Sequence, residues 1–102
     1  MKFELSASFV ADFRRLKPEH QRAFRALMPE FSAACDEQAR VRGFRWPRSL
    51  RVSRLRGTAD IWEMTWSFSG PDGRATFQFL RRGDESIFLW RRVGDHAVFK
   101  EP

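Results

Sequence analysis

Two hydrophobic rhythms divide the chain near its middle. In the first half, apolar residues recur at helical spacing. Phe3 to Ser6 reads as a short opening strand, after which Ser6 or Ser8 can cap a helix carrying Phe9, Val10, Phe13 and Leu16 on one stripe. Lys17-Pro18 should end it, because the residue before proline avoids the α region. Pro18 then suits the first turn of a second helix. That helix carries Phe24, Leu27, Met28, Phe31 and Cys35 on one face. Pro29 falls inside it, and the stripe resumes in phase at Phe31, so a kink is expected there rather than a stop. The helix should fray near Arg42-Gly43, with Gly43 as its C-cap, and pass into a loop containing Trp46-Pro47.

The second half alternates with the two-residue period of strands. Leu50 to Arg56 reads as one strand whose parity changes, since Leu50 and Val52 share a face and Leu55 takes the other. After a turn over Gly57–Asp60, Ile61 to Phe68 places Trp62, Met64, Trp66 and Phe68 inward and Glu63, Thr65 and Ser67 outward. Ser69 to Gly73 carries a strong hairpin signal. Arg74 to Leu80 points Ala75, Phe77 and Phe79 inward and Arg74, Thr76 and Gln78 outward. A turn over Arg81–Glu85 leads to Ile87–Val93, apolar on both faces and so suited to a central strand. The predicted fold is α+β, in two layers: two N-terminal helices packed on one face of a mainly antiparallel four- to five-stranded sheet.

Composition supports one domain over residues 1–102, with 42% hydrophobic residues, eleven Phe and four Trp to fill a core. A single cysteine, Cys35, excludes an internal disulfide and any multi-cysteine metal site, and suits a reducing compartment. No apolar run approaches the roughly 20 residues of a membrane span, and Met1-Lys2-Phe3-Glu4 does not open a signal peptide, so a cytoplasmic protein is expected. Tyrosine is absent, which leaves proton transfer to His, Asp, Glu or a basic side chain. No Walker loop, zinc spacing, Ser-His-Asp order or dinucleotide fingerprint occurs.

Charge changes the picture further. The net charge is +6, and Arg40, Arg42, Arg45, Arg48, Arg51, Arg54 and Arg56 occupy a stretch with no acid between Glu37 and Asp60. Such a run needs solvent or a polyanion, and arginine binds phosphate through a planar fork that stays charged. A solvated basic surface gives the same pattern. If the helices cover the Trp62 and Phe77 face, the other face presents Arg51, Glu63, Thr65, Arg74, Thr76, Gln78 and one of Arg91 or Arg92, with Arg54 and Arg56 as further candidates. Basic and hydroxyl groups converging from several strands can hold a nucleic-acid backbone, and an ordinary solvated sheet face shows the same alternation. Downstream of Trp90-Arg91-Arg92-Val93-Gly94, His96 can serve as a general acid or base, or simply lie on the surface.

Several segments together carry a family resemblance. These are the two helices ahead of four strands, Leu50 to Thr58 followed by Ile61-Trp62-Glu63-Met64, Arg74, and Arg92-Val93-Gly94-Asp95-His96 with Phe99. In order and spacing they resemble the RelE/ParE superfamily, the toxic halves of bacterial type II toxin–antitoxin pairs. The resemblance implies the fold predicted above. For many members it also implies metal-independent, cofactor-free cleavage of mRNA, often on the ribosome, by attack of a 2′-hydroxyl on the adjacent phosphate. By position it implies a catalytic set of Arg74, His96, Arg56 and Arg92, and RNA contacts from Arg51, Arg54, Arg91, Thr65 and Phe99. Arg74 would stabilise the phosphate and His96 would act as the C-terminal acid or base. It further implies an acidic antitoxin as partner, with mRNA and the ribosome as targets. Glu63 and Thr65 depart from the cationic residues that cleaving members often carry there. The alternative is a toxin of the same fold that does not cleave RNA and acts by protein contact, as in gyrase inhibition, or an RNA-binding relative.

Overall fold

The computed structural model describes residues 2–57, 60–66, 73–94 and 102. Its elements run β1 (Lys2–Leu5), α1 (Ala7–Arg15), α2 (Pro18–Arg40), a 3-10 turn (Arg48–Leu50), β2 (Ser53–Arg54), β3 (Ile61–Trp66), β4 (Gly73–Arg82) and β5 (Glu85–Gly94). One five-stranded sheet has the order β1-β5-β4-β3-β2. β1 pairs with β5 in parallel and the other pairs are antiparallel. This is the predicted α+β arrangement, with β5 inside the sheet as its two apolar faces required.

Ser6 starts α1, its Oγ accepting from Phe9 N at 3.0 Å. The second helix runs unbroken through Pro29, held by its apolar stripe. It ends at Arg40, with Val41 extended as its cap, so Gly43 is not the C-cap expected from the sequence. Gly43 instead takes a positive φ of 76° in the turn that follows.

Aromatic packing joins the two layers. Phe31 is 1% exposed and lies 5.0 to 5.7 Å, ring centre to ring centre, from Trp90, Phe88, Phe77 and Trp46. Phe9 and Phe24 of the two helices meet each other at 5.8 Å and both meet Trp90. Met64, Ala75 and Val93 complete the sheet side, with Trp62 and Phe79 partly buried against them.

The expected strand over Leu50–Arg56 is largely absent. Leu50 is fully buried at the end of the 3-10 turn, Arg51 is left-handed at φ 44°, and only Ser53–Arg54 pair with β3. The parity change between Val52 and Leu55 is thus met by turning the chain before β2 rather than by a bulge within a long strand. At the other end of the sheet, β4 and β5 run longer than predicted and close around Gly83-Asp84. Gly83 has φ 62°, the first position of a two-residue hairpin turn, where glycine is favoured. The hairpin signal over Ser69–Asp72 lies outside the described residues.

Candidate functional site

The register of β2 to β5 sorts the side chains by face. Trp62, Met64, Ala75 and Phe77 pack toward the helices, so their neighbours Glu63, Thr65, Arg74 and Thr76 turn away from them. Thr65 pairs directly with Arg74, and Glu63 with Thr76. Successive residues on one face of a strand lie about 7 Å apart and adjacent strands about 4.8 Å apart, so these four groups form a compact patch.

A bulge in β5 brings an arginine to this patch. Thr76 pairs with Arg92, but Phe77 pairs with Trp90, which leaves Arg91 as the extra residue. Ser6 pins the bulge, donating its hydroxyl to the Arg91 carbonyl at 2.6 Å and its backbone N–H to the Trp90 carbonyl at 3.0 Å. The Arg91 side chain then lies along the face away from the helices. Its Nη1 donates to Gln78 Oε1 at 2.8 Å, which fixes the plane of the guanidinium. Arg91 Nε and Thr76 Oγ1 both donate to the main-chain oxygen of Pro102, at 2.9 and 3.1 Å. Two donors from adjacent strands therefore converge on one oxygen, the geometry that a phosphate oxygen also requires.

Arg92, next in sequence, goes elsewhere. Its Nε and Nη2 form a bidentate pair with Asp12 of α1 at 2.6 and 3.0 Å, and Asp12 also accepts from Val93 N at 3.2 Å. Asp12 is 7% exposed. Arg92, expected in the catalytic set, therefore ties the first helix to the sheet, and no pattern along the chain marks Asp12 as its partner.

The remaining expected residues divide by position. Arg74 is half-buried on the far face, with its Nη1 reaching the Gly73 carbonyl at 3.4 Å. Thr65 is buried beside it. Arg51 is exposed and precedes β2 at the end of the sheet toward which β3 runs to Thr65. Arg54 does not share this face. It pairs with Trp62, and its guanidinium lies over the Trp62 ring at 5.2 Å, on the helix side of the sheet edge. Arg56 is exposed in the turn after β2, beyond Ile61. Ile61 and Thr65, the partner of Arg74, lie four positions apart along β3, so Arg56 and Arg74 stand about 13 Å or more apart along the sheet. His96 and Phe99 lie outside the described residues.

Two further groups, read from the sequence only as members of the outward face, take specific parts in this patch. Thr76 is fully buried and supplies one of the two converging donors, and Gln78 orients the other. Their outward parity was legible, but their hydrogen-bonding partners were not. Glu63 accepts from Ser53 Oγ at 3.0 Å through Oε1, while its Oε2 is closed off from solvent without a hydrogen-bond partner. Among the described residues, no helix is long and apolar enough to cross a membrane.

Comparison with known proteins agrees with the architecture. The chain is similar in structure to a YoeB/ParE toxin from Agrobacterium tumefaciens, with a TM-score of 0.53 and 16% sequence identity. The match covers 94% of this chain and 99% of that one. The fold is thus of the RelE/ParE type. No family model matches the sequence, and no curated protein matches it.

Proposed function

We propose that this protein is the toxin of a toxin–antitoxin pair and a metal-independent endoribonuclease acting in the cytoplasm. The observation that carries the reading is the convergence of Arg91 Nε and Thr76 Oγ1 on a single oxygen, in a patch that also holds Arg74. A phosphodiester oxygen takes the place of the Pro102 oxygen there. Arg74 stabilises the extra negative charge that develops as the 2′-hydroxyl gives up its proton to solvent and attacks the phosphorus, where a fixed cation is most effective. His96 protonates the leaving 5′-oxygen. Arg51 contributes a phosphate contact, and Phe99 supplies an aromatic group for the scissile base. The RelE/ParE-type fold supports the assignment to this class, with an acidic antitoxin as partner and ribosome-bound mRNA as a target.

Single-turnover cleavage by the purified protein tests this, with and without ribosomes and with chelator present. His96→Ala should lose about 10²–10⁴-fold in rate while RNA binding is retained. Arg74→Ala should lose both. Cleavage that survives His96→Ala would refute the acid role.

One observation favours a second reading, a toxin of the same fold that acts by protein contact. Arg92 is committed to Asp12 and Thr65 is a buried hydroxyl, which thins the cations available for chemistry. Toxicity without cleavage under any of those conditions would establish it.

A further inference from the structure

Arg40, Arg42, Arg45 and Arg48 occupy a different part of the molecule from Arg74 and Arg91. Between the exposed Val41 and the buried Leu50, the side chains of Phe44, Trp46 and Leu50 turn inward against the core. Trp46 packs on Phe31, Phe77 and Phe79 at 5.7 to 6.4 Å between ring centres, and Phe44 packs on Trp46 at 5.2 Å. Leu50 is fully buried, and Ser49 Oγ donates to Glu30 Oε1 of α2 at 2.6 Å. Pro47 restricts the backbone between these anchors. Arg40, Arg42, Arg45 and Arg48 are left on the outside, all exposed. Among the described residues none of these four guanidiniums is held in an ion pair.

Four like charges at the end of α2 and along a fixed loop repel one another, and folding alone does not need them. The loop is anchored by Phe44, Trp46 and Leu50, whose neighbours could be any soluble residue. The anchoring does have a consequence for binding: the cations are presented with little loop entropy left to lose. The span from Arg42 to Arg48 is six residues, at most about 20 Å. The exposed side of the loop offers guanidinium groups rather than an open ring platform, because Phe44 and Trp46 are partly buried against the core. Single-stranded RNA is usually gripped by aromatic platforms, whereas paired RNA is bound through its backbone and shape.

We infer that Arg40, Arg42, Arg45 and Arg48 form a second binding surface, for the phosphate backbone of base-paired RNA, on the helix layer and apart from the Arg74 and Arg91 patch. The choice of RNA over DNA rests on the proposed RNA-directed function; the surface itself does not depend on cleavage. One molecule can then hold a duplex region on its helix side while the sheet face engages an unpaired strand.

Fluorescence anisotropy with a labelled RNA duplex of about 20 base pairs tests the inference across a salt series. An Arg42→Gln/Arg45→Gln/Arg48→Gln variant should bind about tenfold or more weakly, and the slope of log K against log salt should fall by about 2–3. An Arg14→Gln/Arg22→Gln/Arg81→Gln variant makes the same change of net charge with exposed arginines of other elements, and should keep most of the affinity and slope. Circular dichroism confirms that both variants fold. Equal losses in the two variants would show a general charge effect and overturn the surface. Unchanged duplex binding by the first variant would overturn it as well, and would leave an acidic protein segment as the occupant. A DNA duplex of equal length bound as tightly as the RNA would overturn the choice of RNA. Loss of cleavage in every assay with duplex binding intact would sink the proposed catalysis and leave this surface standing.

Discussion

Removing the Asp12 carboxylate should loosen the joint between the first helix and the sheet. In the folded protein Asp12 accepts two bonds from the Arg92 guanidinium and one from the Val93 backbone N–H, and it is 7% exposed. Asp12→Ala removes all three bonds at once. Hydrogen bonds to charged groups contribute about 1.5–3 kcal/mol each, and breaking a buried ion pair costs about 3–5 kcal/mol. The Arg92 side chain keeps 26% exposure, so water can rehydrate part of the abandoned cation. These considerations place the expected loss at about 2–4 kcal/mol. Asp12→Asn keeps an acceptor but not the charge and should lose about 1–2 kcal/mol. Urea denaturation of the two variants, of Arg92→Met and of the double variant Asp12→Ala/Arg92→Met gives the coupling, expected near 2 kcal/mol. A coupling below about 0.5 kcal/mol would show that the pair is decorative and that the assignment of Arg92 to structure is wrong. Arg92→Lys sharpens the test, because lysine cannot reproduce the bidentate fork. Its effect on cleavage should follow its loss of stability and go no further.

Other expectations follow from the packing and the caps. Phe31→Ala should cost about 3–5 kcal/mol in a denaturant titration, since its ring touches four other aromatics at the centre of the core. Ser6→Ala should cost about 0.5–2 kcal/mol as a lost helix cap, and it should raise hydrogen exchange at Phe9 N, which loses its acceptor. Arg91→Gln should weaken RNA binding to the sheet face and leave binding to duplex RNA intact, as measured by anisotropy with single-stranded and paired probes. The Cys35 thiol is pushed up to about 12, by burial first and the neighbouring Asp36 charge second. The folded state therefore holds its proton where the unfolded chain, ionising near the ordinary value of 9.0, releases it. Stability from this group is complete below about pH 9 and falls by up to about 1.4 kcal/mol per pH unit as the pH rises toward 12. Urea titrations at about pH 8 and pH 10.5 should show that loss in the native chain and a smaller one in Cys35→Ala.

The sequence carried most of the fold because its apolar periods are clean. The stripes through Phe9–Leu16 and Phe24–Cys35, and the alternation in Trp62–Met64 and Ala75–Phe79, each name one buried face, and the structure buries those faces against each other. Prediction failed where backbone geometry outweighed pattern. Leu50 and Val52 looked like alternate residues of a strand, yet a left-handed Arg51 separates them and leaves only two residues for β2. Gly43 looked like a cap, yet the helix stops at Arg40, three residues earlier. The candidate site was half legible. Parity put Thr76 and Arg74 on the face away from the helices, but it could not place Arg54, whose ring partner is Trp62, nor pair Arg92 with a residue 80 positions away.

The division between Arg91 and Arg92 has a physical cause in the residues that flank them. Trp90 and Val93 both belong to the core, although three positions apart on a regular strand would put them on opposite faces. A strand can bury both only by inserting one residue between them, and the register does so at Arg91. An apolar pair at this odd spacing, with charged residues between, was therefore a visible sign of the bulge. The extra residue cannot join the pairing of its neighbours, so its side chain is free to be aimed by other groups. Ser6 fixes its carbonyl and Gln78 fixes its guanidinium. The arginine that the ladder displaces becomes the donor at the oxygen-binding point with Thr76, while the arginine that stays in register is drawn to Asp12. Val93→Ser tests the cause. If core burial of Val93 drives the bulge, its loss should weaken the protein by about 2 kcal/mol or more and also degrade RNA binding through Arg91, although residue 93 touches no ligand. Loss of stability with RNA binding unchanged, measured under conditions where the variant is fully folded, would separate the bulge from the burial of Val93 and refute this account.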